Sequence, residues 1–455
     1  MEREELMQLV FELIESRAFV RLRNLLIEEN PADVAEIFGE LGDKEIPVVF
    51  RILPKDFAGE TFSYMDNDKQ ELLLNSFNDS ELREIINELW LDDTVDIIEE
   101  MPANVVTRIL KNTAPNVRRQ INELLKYPED SAGSIMTVEY VSLQKDLTVG
   151  ECFNKIRRES INKETVYTCY VTEKRKLVGT VSVKDLFMAD MDAVVSEIME
   201  TNVISVDAHE DKEVVAQVFS KYGMLAIPVV DKDGRIVGIV TVDDAIDVME
   251  EEATEDIERM AAITSTDKPY LKTGVMSIWL TRIPWLLLLM LSATFTGIII
   301  NSFEDALSVF PVLISFIPML MGTGGNAGGQ SSATVIRGMA VGEIELKDIL
   351  RVLWKELRIA LLCGVTLAIV GYAKIILIDN MLLGMNVSYT EMAVVSLTLV
   401  VTVFAAKLVG CSLPILAKAI GLDPAVMASP FITTIVDVLS LIVYFFIAIK
   451  ILGIL

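Results

Sequence analysis

Asp437 is the single carboxylate in MASPFITTIVDVLSLIVYFFIAIK, residues 427–450, an otherwise almost unbroken apolar run. An ionised group at the centre of a bilayer-length helix costs at least about 2.5–3.5 kcal/mol on insertion scales, which makes such a residue a candidate for an ion pathway. Two kinds of partner are open to it. Lys407 lies deep in another apolar run and would make the pair structural, whereas a cation in a watery pore would make it functional. Thr433 and Thr434, one turn earlier, add hydroxyls that can contact a hydrated ion. Lys374 lies near the end of its run and is expected to snorkel.

A second set of acids lies in VDDAIDVMEEEATEDIERM, residues 242–260. Asp244, Asp247, Glu251, Glu255 and Glu258 are spaced 3, 4, 4 and 3 apart and so share one helical face. Glu250, Glu252 and Asp256 flank the stripe, and only Arg259 balances it. A solvated surface helix explains an ordinary charge run. This run leads straight into apolar segments, and the chain offers a further acidic set in Asp92, Asp93, Asp96, Glu99 and Glu100. Two acidic surfaces repel each other unless cations lie between them. Hard divalent ions choose oxygen ligands, and Mg²⁺ keeps several waters while using few carboxylates. The single histidine, His209, reads as a surface loop residue, so no His/Cys site for zinc or copper is expected. No Walker motif, nucleophile constellation or redox motif is found, and no catalytic site is expected.

These residues sit in two contrasting halves. Residues 271–455 hold 11 Lys and Arg against 10 Asp and Glu, so of the chain's 40 basic and 66 acidic residues the first 270 hold 29 and 56. Such an excess of acid argues against nucleic acid as a partner. The four cysteines, Cys152, Cys169, Cys363 and Cys411, are scattered and indicate no disulfide framework. The acidic, amphipathic start MEREELMQLVFELIESR resembles neither a secretory signal nor a transit peptide, so the first half is expected in the cytoplasm.

Five segments approach the roughly 20 apolar residues that span a bilayer: 283–300, 306–335, 359–378, 392–417 and 424–449. The connection 336–358 carries Arg337, Lys347, Arg351, Lys355 and Arg358, and Lys418 lies between the last two spans; these are expected inside. The connections at 301–305 and 379–391 carry acids and no bases, so the C-terminus is expected outside. The second span contains Pro311, Pro318, Gly322, Gly324, Gly325, Gly328 and Gly329 with Asn326, Gln330, Ser331 and Ser332. Non-helical backbone lining a cavity is the expectation there, and close packing of a small-residue helix is the alternative.

Residues 30–125 repeat short helical phrases about every 12 positions (PADVAEIFGEL, KDFAGETFSYM, DSELREIINEL), the pattern of an all-helical superhelix. From about 136 a β-α pattern occurs twice, as TCYVTEKRKLVGTVSVKDL and AIPVVDKDGRIVGIVTVDDAI. It resembles the tandem CBS domain, whose nucleotide motif [ST]-x-x-D falls here on Ser182/Asp185 and Thr241/Asp244. The same four residues also suit plain helix N-caps.

The whole order closely resembles the MgtE family of magnesium channels, most specifically at GTGGNAGGQS (322–331), EEEATEDI (250–257) and DPAVMASPFITTIVD (423–437). The resemblance implies a multidomain membrane protein: an all-α superhelical domain at 1–130, an α/β CBS pair at 131–245, a connecting plug helix at 246–270 and a five-helix transmembrane domain at 271–455. It further implies a homodimer in the plasma (inner) membrane with the pore on its two-fold axis. Asp437 would bind largely hydrated Mg²⁺ there, and Asn326, Gln330, Ser429, Thr433 and Thr434 would line the path. Regulatory Mg²⁺ would be held by Asp92, Asp96, Asp211, Glu213, Asp244, Asp247, Glu252, Glu255 and Asp256, closing the pore when internal Mg²⁺ is high. ATP is the implied CBS ligand. Three positions depart from the family pattern: Gly329, Ser429 and Gly223. An ion-coupled carrier for a small solute, regulated by adenine nucleotide, is the runner-up; a membrane-anchored sensor with Asp437 paired to Lys407 is a third reading.

Overall fold

Helices of two or three turns cannot bury an apolar face alone and must stack, and the start of the chain consists of such helices. The computed structural model describes residues 3–160, 163–264, 270–271, 273–303, 308–427 and 429–453. The chain divides into two units, Met1–Met249 and Glu250–Leu455. The first unit opens with α1 (Arg3–Glu15), α2 (Phe19–Leu26), α3 (Pro31–Glu40), α4 (Ile46–Phe50), α5 (Lys55–Ser63), α6 (Asn67–Ser76), α7 (Asp79–Glu88), α8 (Leu91–Glu100), α9 (Ala103–Asn112) and α10 (Pro115–Leu124). Next-but-one neighbours pack together, α3 on α5, α5 on α7, α7 on α9 and α8 on α10. That is the expected superhelix.

Local signals start these helices. The Asn30 side chain accepts from the Ala32 N–H at 3.0 Å just ahead of Pro31, and Asn78 closes a capping box with Glu81. Phe50 lies at the centre of the aromatic core, with ring centroids 5.9 Å from Phe38, 6.0 Å from Phe62 and 5.5 Å from Phe77. Arg108 donates to the main-chain oxygens of Leu74 and Phe77, satisfying carbonyls that α6 leaves open at its end.

The β-α part forms two matching sheets. β1 (Ser142–Gln144) runs parallel to β2 (Thr168–Glu173), which pairs antiparallel with β3 (Lys176–Ser182); β4 (Val206–Asp207), β5 (Ala226–Val230) and β6 (Ile236–Thr241) repeat the order. Between and after them run α11 (Val149–Glu159), α12 (Val183–Met188), α13 (Val195–Ile198) and α14 (Lys212–Tyr222). The duplication reaches individual contacts. A Cβ at Gly179 would lie 2.6 Å from Met199 Sδ, and one at Gly238 would lie 2.6 Å from Met136 Sδ, so each copy needs glycine where a Met-bearing segment crosses its strand. The departure at Gly223 also has a local reason: with φ +61° it ends α14 in the left-handed region.

α15 (Val242–Met260) grows directly from β6, so the acidic helix begins before the expected position 246 and ends at Met260. Residues 265–269, the end of the expected connector, lie outside the described residues.

The second unit contains α16 (Val275–Ser302), a 3-10 turn (Pro311–Phe316), α17 (Ile317–Ala340), α18 (Ile349–Lys374) with a π-turn (Ile375–Asn380), α19 (Tyr389–Ala419) and α20 (Ser429–Leu452). Among the described residues, four stretches are long and apolar enough to cross a membrane: Val275–Ser302, Leu346–Asn380, Tyr389–Ala419 and Pro430–Leu452. α17 has 24 residues, about 36 Å of helix, but its glycines and polar residues keep it out of that set. α17, α18, α19 and α20 share one packed body, while α16 has no buried residue and packs on α20.

Two expectations need correction here. GTGGNAGGQS is uninterrupted α-helix, because Pro311 falls in the 3-10 turn and Pro318 in the first turn of α17, where proline is tolerated. The segment 336–358 is largely helical: Arg337 lies in the last turn of α17, and Arg351, Lys355 and Arg358 ride on α18. Glu304 and Asp305, the acids of the first outer connection, lie outside the described residues.

Candidate functional site

Gly324, Gly325 and Gly328 of α17 sit where neighbouring helices approach too closely for a Cβ. A Cβ at Gly324 would meet Thr402, Ser440 and Val436 at 2.8–2.9 Å, one at Gly325 would meet Thr433 at 2.9 Å, and one at Gly328 would meet Ile432 at 2.9 Å and the Ala406 carbonyl oxygen at 3.1 Å. Gly410 of α19 is closer still, since its Cβ would lie 2.2 Å from the Gly328 carbonyl oxygen. Close packing, the alternative weighed for this segment, is therefore what its small residues do.

This packing seats α20 and with it Asp437. The side chain is half-buried, and its Oδ1 is shielded from solvent with no hydrogen-bond partner among the described residues. A buried carboxylate oxygen left without a donor is costly, and its persistence needs an explanation outside the folded chain itself. Lys407 is not the explanation. Its Nζ lies 3.1 Å from Ser331 Oγ and 3.6 Å from Glu356 Oε2, so the alternative in which it pairs with Asp437 does not hold. Glu356 lies among basic residues in the sequence, and nothing in its spacing marks it as buried. Lys374 is bound as well, donating to both oxygens of buried Asp379 at 2.7 and 2.8 Å rather than simply snorkelling.

Among the expected path-lining residues, Asn326 and Gln330 stand on an exposed face of α17 at i,i+4, opposite its buried glycines. Thr433 packs on Gly325 and lies one turn before Asp437 on α20. Thr434 turns toward α16 instead, with its hydroxyl 3.1 Å from the Pro430 carbonyl oxygen and 3.4 Å from Ser292 Oγ. Ser429 begins α20, but its side chain lies outside the described residues.

In the first unit a set of carboxylates converges near the start of α8 and the start of α15. Burial and the neighbouring Asp93 push Asp92 up to about 7. Burial, Thr241's opposing hydrogen bond and the charge of Asp92 leave Asp244 at about 7. Asp96 rises to about 8 through the protein mass around it and the charges of Asp92, Asp244 and Asp93, although its outer edge is exposed. Asp93 rises to about 6, chiefly by burial and then by Asp244.

Glu164 and Glu139 complete the set and were missed in the sequence, where each is an isolated acid. Burial and then Asp92, Asp243 and Asp244 push Glu164 to about 8, and burial raises Glu139. Each has an Oε2 shielded from solvent with no hydrogen-bond partner among the described residues. Asp247 is exposed at the rim, its charge felt at Tyr64 together with those of Asp243 and Asp93. Asp211 caps α14 by accepting from the Glu213 N–H at 2.8 Å, and neither is among the main charges acting on this set. No three Asp, Glu, His or Cys among the described residues are closed around one point as a ready metal shell. The arrangement suits a cation that keeps its waters and takes few direct carboxylates.

At the other end of α15, Arg259 pairs with Glu255 and with Asp423, just before α20. Asp256 is pushed up by burial and by Asp423, with Arg259 opposing. Glu252 lies on the same helix, half-buried. Asp423 opens the family-like stretch DPAVMASPFITTIVD, and nothing in its spacing marks it as the partner of Arg259. Ser182 caps α12, its Oγ accepting from the Asp185 N–H at 3.0 Å, and Thr241 Oγ1 lies 2.5 Å from Asp244 Oδ2 at the start of α15.

Comparison with known proteins agrees with this architecture. Residues 317–447 match a family model described as a divalent cation transporter, residues 29–130 match the MgtE intracellular N domain, and residues 132–192 and 195–251 match CBS domains. The magnesium transporter MgtE of Thermus thermophilus is 37% identical over 432 residues, covering 94% of each chain. That of Bacillus subtilis is 35% identical over 454 residues, covering 98% of this chain and 97% of the relative. Among solved structures, the cytosolic domain of the Mg²⁺ channel MgtE in complex with ATP matches 52% of this chain and 98% of its own, at 37% identity and TM-score 0.51. The soluble part of a magnesium transporter matches 55% of this chain and 100% of its own, at 30% identity and TM-score 0.52. The chain belongs to the MgtE family of divalent cation transporters.

Proposed function

We propose that this protein lets Mg²⁺ enter the cell passively through a pore on the axis of a homodimer, and that internal Mg²⁺ closes it. The observation that carries the reading is Asp437, whose Oδ1 has no hydrogen-bond donor among the described residues, on a helix seated against the glycine face of α17. Two such carboxylates facing each other would hold a hydrated divalent ion without stripping its waters. Transport requires that binding favour entry and still permit exit, which water-mediated contact allows.

Closure would work through charge. With internal Mg²⁺ low, Asp92, Asp93, Asp96, Glu139, Glu164, Asp243 and Asp244 repel one another, as do Asp256 and Asp423. The upward shifts of Asp92, Asp93, Asp96, Glu164, Asp244 and Asp256, to which the charges of neighbouring acids contribute, support that reading. Mg²⁺ bound at these sites, with Asp247, Glu252 and Glu255 nearby on α15, would favour the closed arrangement by its differential affinity. Asp211 and Glu213 are proposed to hold a further, separate ion. ATP in the CBS cleft is proposed by way of Ser182, Asp185 and Thr241, because the ATP-bound relative covers that part of the chain. The membrane proposed is the plasma membrane, with the first unit inside and the C-terminus outside. The carrier alternative is not favoured by the relatives, and no enzymatic role is proposed.

The test is uptake into proteoliposomes loaded with controlled Mg²⁺ and offered Mg²⁺, Mn²⁺, Co²⁺ or Ni²⁺ in turn. Downhill Mg²⁺ flux that falls as internal Mg²⁺ rises supports the reading. Flux that is indifferent to internal Mg²⁺ removes the gating, and flux abolished by an uncoupler removes passive entry.

A further inference from the structure

Lys407 and Glu356 are an ionic pair in the interior of the membrane unit that the proposed pathway does not use. Lys407 is 5% exposed, Glu356 8% and Ser331 1%. Lys407 Nζ donates to Ser331 Oγ at 3.1 Å, and the Ser331 hydroxyl donates to Glu356 Oε2 at 2.6 Å, with Nζ and Oε2 themselves 3.6 Å apart. The three residues come from α17, α18 and α19, so one polar knot ties three helices. The neighbouring cluster of Ala327, Val403, Ala406, Ile432 and Val436 is apolar. In such surroundings a charge without its partner is expensive, and an apolar replacement of the whole pair need not be. A pair retained there calls for a reason beyond stability.

Its position supplies one. Ser331 lies three residues after Gly328 on α17, and Lys407 three residues before Gly410 on α19, so each shares a helix face with its glycine. Gly328 and Gly410 are the pair in closest approach, where no Cβ fits. The polar knot and the glycine contact therefore define a single crossing of α17 over α19. On its other flank the same stretch of α17 receives Ile432, Thr433 and Val436 of α20, the residues leading to Asp437.

We propose that Glu356 and Lys407, bridged by Ser331, are positioning residues for transport. They lock the α17–α19 crossing against α18 and thereby fix where α20 presents Asp437. A second consequence is electrostatic, because Glu356 neutralises a lysine whose bare charge would oppose a passing cation.

The proposal rests on the transport reading above, and its test separates the two. Purified full-length protein in proteoliposomes is assayed for initial Mg²⁺ uptake against external Mg²⁺, comparing the parent with Ser331→Ala, Glu356→Gln, Lys407→Met, Glu356→Gln/Lys407→Met and the exchange Glu356→Lys/Lys407→Glu. Each variant is checked for a single oligomeric species and a cooperative melt. Glu356→Gln and Lys407→Met are expected to lower maximal uptake roughly tenfold or more while leaving the half-saturating concentration within about twofold, because Asp437 itself is untouched. Ser331→Ala, which keeps both charges, is expected to lower uptake roughly fivefold and guards against misfolding of the charge variants. The neutral double variant should remain low, and the charge exchange should recover most of the flux. Parental uptake in folded single variants would overturn the proposal. Full recovery in the neutral double variant would also overturn it, since only an unpaired buried charge would then have mattered. So would a shifted half-saturation at unchanged maximal rate, which would mark ion contact. A parent that carries no Mg²⁺ would instead sink the transport reading.

Discussion

Gly410→Ala is the sharpest packing perturbation the structure offers. Its Cβ would lie 2.2 Å from the Gly328 carbonyl oxygen, 2.9 Å from the carbonyl carbon and 3.0 Å from Cα. Carbon and carbonyl oxygen approach no closer than about 3.3 Å, so α17 and α19 must part by about 1 Å at that turn. The atoms in the way are backbone and cannot rotate aside. Overpacking of this kind costs about 1–3 kcal/mol. The better helix propensity of alanine returns about 1 kcal/mol, which leaves a net loss of up to about 2 kcal/mol. The assay is thermal unfolding in detergent together with Mg²⁺ uptake in proteoliposomes, both normalised to Gly297→Ala in α16, where an added Cβ meets nothing within 4 Å. The expected result is a lower melting temperature and a large loss of uptake for Gly410→Ala, with neither change in the control. Parental stability and uptake in Gly410→Ala would refute the close-contact account of α17.

Other expectations concern the acids and caps. A carboxyl whose folded pKa lies above its unfolded value keeps an extra proton in the native state, so Asp92 and Asp244 at about 7 and Glu164 at about 8 make the first unit less stable as pH climbs from the ordinary carboxylate range through 8. Without divalent ions its unfolding temperature should therefore fall over that window, and Mg²⁺ should restore more at pH 8 than at pH 6; a flat profile would contradict the convergence of these acids. Mg²⁺ binding should also release protons, measurable by calorimetry in buffers of different ionisation enthalpy. Joint neutralisation of Glu255 and Asp256 should weaken closure by internal Mg²⁺ in patch recordings, and unchanged inhibition would remove α15 from the gate. Ser182→Ala should cost about 1 kcal/mol through the lost cap, and nucleotide binding by calorimetry decides whether it also weakens ATP affinity or leaves the cap as its whole role.

Much of the fold could be read in the sequence because its signals are local. Twelve-residue helical phrases, duplicated β-α segments and long apolar runs each reflect a period or a length that one stretch of chain contains. The same holds for Asp437, exceptional in its own run, and for the acidic face of α15. What escaped was set by distant packing. GTGGNAGGQS suggests a broken helix when read alone, yet Gly324, Gly325 and Gly328 answer to Val436, Thr433 and Gly410 on two other helices. Lys407 meets Glu356, an acid that the sequence places among basic neighbours. Glu139 and Glu164 are single acids in unremarked strand-edge segments, and only the fold brings their charges to Asp92.

The central claim is that Asp437 is the ligand of the transported ion, and the most direct measurement is Mg²⁺ flux through purified, reconstituted Asp437→Ala beside the parent. Downhill uptake is expected in the parent, insensitive to uncoupler, and none in the variant, with both proteins folded and of the same oligomeric state. Undiminished Mg²⁺ uptake by Asp437→Ala would contradict it.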